Sequence, residues 1–88
     1  GVIALMKSLA RELGRSGTTA NAVSLGLVET AHDREWLEAN REHLTKLYPL
    51  RRLGRADDVA PTVALLASDH AGWITGQVIS ISGGFSMV

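Results

Sequence analysis

The sequence has no cysteine at all, which rules out a disulfide framework and a thiolate metal site. That absence fits a reducing compartment, and a cytoplasmic location is expected. Charge of either sign is not in excess: nine basic and nine acidic residues cancel. Nothing therefore draws the chain to nucleic acid or to an anionic membrane surface, and neither is expected as a partner. No apolar run approaches the roughly 20 residues needed to span a bilayer. His32, His43 and His70 lie far apart with no H-x-x-x-H spacing, so no metal site is expected. Aromatic residues are few (Trp36, Tyr48, Trp73 and Phe85), and the only prolines are Pro49 and Pro61.

What is present suits a folded segment. The 88 residues are 45% hydrophobic, too apolar for a disordered tail and enough for one small domain. Val2, Leu5, Met6, Leu9 and Leu13 recur at three- and four-residue steps, predicting a helix with these residues on its buried face. Gly14 is the expected left-handed stop, with Ser16-Gly17 extending the turn. Thr18 to Ser24 alternates as a strand does, although its residues are small. Leu25 to Thr30 is the strand exit and contains Gly26. A second amphipathic helix is predicted from about His32 to Leu47, with Trp36, Leu37, Asn40, Leu44, Leu47 and Tyr48 on one face and Pro49 ending it. Leu50 to Arg55 is a basic connector.

A third helix follows, with Asp57 and Asp58 in its first turn, where carboxylates favour the positive end of the dipole. Val59, Val63, Leu66 and Ala67 form its expected buried stripe. Pro61 argues for a loosened first turn or a later start. A loop through Asp69 to Gly76 leads to the best strand, Gln77 to Ser82, which Gly83-Gly84 terminates. The order is helix, strand, helix, helix, strand. Two strands joined by a long helical crossover should pair in parallel. Parallel sheets are buried on both faces and usually have more strands. The chain reads as the C-terminal edge of a doubly wound α/β sheet, with residues 1–88 forming part of one domain. The first helix has no Ser, Thr, Asp or Asn cap ahead of it, so the natural N-terminus is expected elsewhere.

Several strings in order carry a family resemblance. Asn21-Ala-Val-Ser-Leu-Gly-Leu-Val-Glu-Thr30 is similar to N-A-V-x-P-G-x-V-x-T. Leu53-Gly-Arg-Ala-Asp-Asp-Val-Ala60 resembles G-R-P-E-D-V-A. Leu66-Ala-Ser-Asp69, Ile74-Thr-Gly-Gln77 and Ser82-Gly-Gly84 resemble L-A-S-D, I-T-G-Q and D-G-G. Together with the helix at Gly1 to Leu13, they resemble the short-chain dehydrogenase/reductases along nearly the whole chain. Leu25 stands where the family usually has proline, Ser82 where it commonly has aspartate, and Thr18-Thr19-Ala20 is more polar than the usual strand.

The resemblance implies a Rossmann-type sheet and hydride transfer between NAD or NADP and an alcohol or carbonyl, with a 3-oxoacyl thioester or a related alcohol among the substrates. It places the catalytic Ser, Tyr and Lys upstream of Gly1, so no catalytic residue lies in this chain. It assigns Gly26, Val28 and Thr30 to the cofactor: the Val28 backbone to the nicotinamide carboxamide, the Thr30 hydroxyl to the carboxamide or pyrophosphate, and Gly26 to close backbone approach. It makes the second helix a substrate lid, with Leu27, Trp36 and Leu37 as pocket candidates. It also implies a homo-oligomer assembled through Asp57 to Ala67 and Gln77 to Ser82.

Each role has an alternative in plain structure. Thr30-x-x-Asp33 approximates a capping box. The apolar face of the second helix can be packing alone. Arg51, Arg52 and Arg55 can clamp a phosphate or carboxylate, or form a solvated connector. Gly83-Gly84 reverses the chain and has no following helix with which to bind phosphate. An inactive remnant serving as an assembly module is the alternative function.

Overall fold

The computed structural model describes residues 1–87. Helix α1, Val2–Leu13, opens the chain without a side-chain cap. Only Met6 and Ala10 are buried along it, while Val2 and Leu5 are 78% and 61% exposed. The predicted single buried face is thus divided, with one line of residues facing inward and Val2, Leu5 and Leu9 facing out. Gly14 is right-handed (φ −58), contrary to expectation, and the helix tightens into a 3-10 turn at Gly14–Ser16. The left-handed residue is Gly17 (φ 79). The Ser16 hydroxyl donates to the Leu13 carbonyl at 2.8 Å, and the Gly17 N–H to the Gly14 carbonyl at 3.0 Å. These bonds satisfy carbonyls at the helix end and postpone the reversal to the second glycine.

Strand β1 is Ala22–Leu25, shorter than the predicted Thr18 to Ser24. The missing ladder bonds are made by other groups. The Gly76 N–H donates to the Ala20 carbonyl at 2.7 Å, and the Thr75 hydroxyl accepts from the Ala20 N–H at 3.1 Å. The Asn21 side chain donates to the Ile74 carbonyl and accepts from the Gln77 N–H, both at 3.1 Å. Asn21 thereby ties the strand to the turn that launches β2, Val78–Ile81. The two strands pair in parallel, with Ala22 opposite Val78 and Leu25 opposite Ile81. The parallel expectation holds, and so does the α/β class.

Between the strands, a 3-10 turn at Ala31–Asp33 precedes helix α2, Arg34–Thr45, so α2 is shorter than predicted at both ends. Leu37 from this helix, Tyr48 and Leu53 are each less than 10% exposed and form the core cluster, with Leu27 and Leu44 packed against it. Helix α3 is Ala56–Leu66. Contrary to expectation, it starts at Ala56 despite Pro61. The Asp58 carboxylate accepts the Arg55 N–H at 2.8 Å, and the Asp58 N–H donates to the Arg55 carbonyl at 2.8 Å, which holds the first turn closed. Pro61 lies beyond that turn, where its missing N–H removes a single bond.

No residue of α3 is buried, and Val63 is 47% exposed. Val59, Val63 and Ala67 of the stripe expected to be buried instead line a shallow apolar groove with Leu25 and Val28, and Leu66 is half-buried outside it. Uncovered surface is general in this chain. Its radius of gyration is 15.6 Å, against about 12 Å for a compact domain of this length. Its accessible surface is 6633 Å², against about 5,000 Å² for a compact protein of its mass.

Candidate functional site

In parallel α/β sheets, ligands bind beyond the carboxyl ends of the strands. A cleft lies there, a volume of about 370 Å³ bordered by Gly26, Leu27, Val28, Tyr48, Ser82 and Gly83. Its floor is the exit of β1. The Gly26 N–H continues the ladder to the Ile81 carbonyl at 3.1 Å, and the Leu27 N–H donates to the Tyr48 phenol oxygen at 3.0 Å. The Gly54 N–H donates to the Leu27 carbonyl at 3.0 Å, and the Glu29 N–H to the Gly54 carbonyl at 2.8 Å. Val28 and Gly54 thus form an isolated parallel bridge. Bridge geometry turns the Val28 N–H and carbonyl away from Gly54. Among the described residues neither group has a hydrogen-bond partner.

Gly26, Leu27 and Val28 therefore come together at one site. A Cβ on Gly26 would lie 3.0 Å from Tyr48 Cε1 and 3.1 Å from Ser82 Cα. Internal packing alone is enough to require glycine there. Thr30 lies further along the exit and is exposed. Its hydroxyl donates to Asp33 Oδ2 at 3.0 Å, and its carbonyl accepts the Asp33 N–H at 3.3 Å. The reciprocal capping box does not form, because the threonine oxygen faces a carboxylate and no backbone N–H donates to it. Trp36 is 55% exposed on α2, and Leu37, one residue on, is in the core at 3%.

Ion pairs fix the surroundings. Glu29 follows Val28 and meets the Arg41 guanidinium of α2, which also bonds Glu38 at 2.8 Å. Hydrogen bonds to Glu38 and Glu29 raise the Arg41 pKa. The connector arginines are engaged within the chain. Arg52 Nη1 and Nη2 hold the Asp58 carboxylate at 2.7 and 3.0 Å. Arg51, at φ 58, donates to the Lys46 carbonyl at 2.8 Å, and Arg55 Nε lies 3.9 Å from Glu29. Asp58 is lowered to about 2, first by Arg52 and then by the Arg55 N–H. No cluster of metal-ligating side chains exists among the described residues, and none of their helices is long and apolar enough to cross a membrane.

A main-chain donor and acceptor on one residue, both without a partner among the described residues, suit a planar amide, which presents the complementary pair. The residues at the site therefore fit a nicotinamide carboxamide. Tyr48, Ser82, Asn21 and Gly54 were not singled out from the sequence as parts of this site. Of these, Asn21, Gly54 and Ser82 stood within motifs that carry the family resemblance, and Tyr48 only on the face of the second helix.

This is the strand edge of a Rossmann-type protein with a cleft at its carboxyl end. A family model described as enoyl-(acyl carrier protein) reductase matches residues 1–86. The chain is 42% identical over 87 residues to the 3-oxoacyl-[acyl-carrier-protein] reductase FabG of Pseudomonas aeruginosa, covering 99% of this chain and 35% of that protein. A short-chain dehydrogenase/reductase structure from Brucella melitensis superposes with a TM-score of 0.85 at 34% identity, over 98% of this chain and 35% of that one. A structure of ElxO with NADP bound superposes at 0.87 and 32% identity, over 96% and 35%. The chain belongs to the short-chain dehydrogenase/reductase family. It spans about a third of the length of the relatives it matches.

Proposed function

We propose that this chain is the C-terminal cofactor wall of an NAD- or NADP-dependent oxidoreductase that interconverts an alcohol and a carbonyl, with 3-oxoacyl thioesters as the favoured substrate class. The observation that carries this reading is the unpartnered main chain of Val28, held rigid by its neighbours at the end of β1. When bound, the nicotinamide supplies or accepts the hydride. The chain's own part is to bind and orient. The Val28 N–H would donate to the carboxamide oxygen, its carbonyl would accept from the carboxamide NH₂, and the exposed Thr30 hydroxyl would add a bond beside them. Helix α2 and Leu27 border the substrate end, with Trp36 as the exposed aromatic of that helix. The acyl-carrier-protein reductase among its relatives favours the thioester class.

The test uses the gene product that contains Gly1 to Val88. NADH and NADPH are titrated by fluorescence, and a 3-oxoacyl thioester is supplied as substrate. Saturable binding of one cofactor with substrate-dependent oxidation is the expected result. Thr30→Val in the same protein should weaken cofactor affinity by about 1 kcal/mol or somewhat more. An unchanged dissociation constant would leave Thr30 only its local bond to Asp33. No cofactor binding by the parent protein would sink the reading.

A further inference from the structure

We infer that Tyr48 is a positioning residue for the cofactor, its phenol oxygen acting as the tether that aims the Val28 main chain. The inference rests on the cofactor reading above. No proline restricts the exit of β1, since Leu25, Gly26 and Leu27 all keep a free φ. The ladder to β2 ends at the Gly26 N–H. One residue later, the Leu27 N–H takes the Tyr48 phenol oxygen at 3.0 Å, a side-chain acceptor replacing the lost strand partner. The Leu27 carbonyl accepts the Gly54 N–H at 3.0 Å. The peptide groups on both sides of Leu27 are thereby fixed, and with them the direction of the next residue's N–H.

The phenol is itself well supported. Tyr48 is 7% exposed, packs with Leu37 and Leu53, and its ring centroid is 5.1 Å from that of Phe85. The absent Cβ of Gly26 is what admits the ring edge, at 3.0 Å from where that carbon would be. The Leu50 N–H donates to the Gly83 carbonyl at 3.1 Å, which anchors the segment just after Tyr48 to the end of β2. Gly84 lies so close to Pro49 that a Cβ would come within 2.8 Å of its ring. The tether therefore hangs from a loop fixed to the sheet, and moving it requires moving that loop.

The experiment compares Tyr48→Phe with the parent in the full gene product. Phenylalanine keeps the ring and its packing and removes only the acceptor. Three quantities are read: the NAD(P)H dissociation constant, hydrogen exchange at the Leu27 amide in the cofactor-free protein, and the melting temperature. The expected result is a five- to tenfold weaker dissociation constant together with faster exchange at Leu27. Leu44→Val, which thins the same core without touching the phenol, should lower the melting temperature and leave cofactor affinity within twofold. An unchanged dissociation constant in Tyr48→Phe, whatever its melting temperature, overturns the inference and leaves the cofactor reading standing. Equal losses of affinity in both variants also overturn it, because general loosening of the core would then be the cause. If the parent binds no NAD(P)H, the cofactor reading fails, and this inference fails with it.

Discussion

Arg52 grips Asp58 through both terminal nitrogens, at 2.7 and 3.0 Å, while the same carboxylate accepts the Arg55 N–H at 2.8 Å. One side chain thus closes the first turn of α3 and pins the connector that carries Leu53 into the core. The aspartate meets the positive end of the helix as well as three donors.

This junction makes stability depend on pH in a definite direction. Asp58 is lowered to about 2, against an ordinary aspartate value of about 3.9. A depressed carboxylate contributes stability above its unfolded value and loses that contribution as pH falls through its folded value. Asp58→Asn keeps an oxygen to accept the Arg55 N–H and removes the charge. Its melting temperature should lie below that of the parent at pH 7, with the gap closing between about pH 4 and pH 2. The pair is partly exposed, so 1 M salt should shrink the gap at pH 7 as well. A gap that is the same at pH 7 and pH 2 would mean that the charge contributes nothing.

Trp36 and Leu37 are neighbours in sequence with opposite environments, and their alanine variants should separate accordingly. Leu37 is 3% exposed, so Leu37→Ala should cost about 2–5 kcal/mol of stability through the cavity it leaves. Trp36 is 55% exposed and should be nearly neutral for stability. In the full gene product, Trp36→Ala should change the substrate KM more than the cofactor dissociation constant. Kinetics unchanged in both respects would remove Trp36 from the substrate pocket.

Gly1 to Val88 expressed alone should not form a stable monomer. Val2, Leu5, Trp73 and Met87 are each more than 60% exposed, and the two-stranded sheet leaves both outer edges unpaired. Open edges of this kind invite pairing between chains, so self-association is the expected outcome. Proton–nitrogen correlation spectra and thermal unfolding at low concentration provide the check. Dispersed amide peaks and a cooperative melt from a proven monomer would contradict it.

The sequence by itself determined the order of elements and the family, because helical periodicity, paired glycines and the N-A-V and I-T-G-Q strings are local patterns. Parallel pairing also followed from it, since a crossover this long leaves little alternative. The bounds of β1 did not, because Asn21 and Thr75 replace ladder bonds across a separation of more than fifty residues. Nor did the stop after α1, where either glycine could turn left-handed and the hydroxyl of Ser16 helps decide. Only the tertiary structure showed that the α3 stripe is uncovered, because burial depends on what lies opposite a face and periodicity records only the face. It alone brought the Tyr48 phenol to the Leu27 amide, 21 residues away. A hydroxyl on an amphipathic stripe carries no sign in the sequence of which backbone group it will meet. That partner is chosen by how the loop folds back onto the sheet.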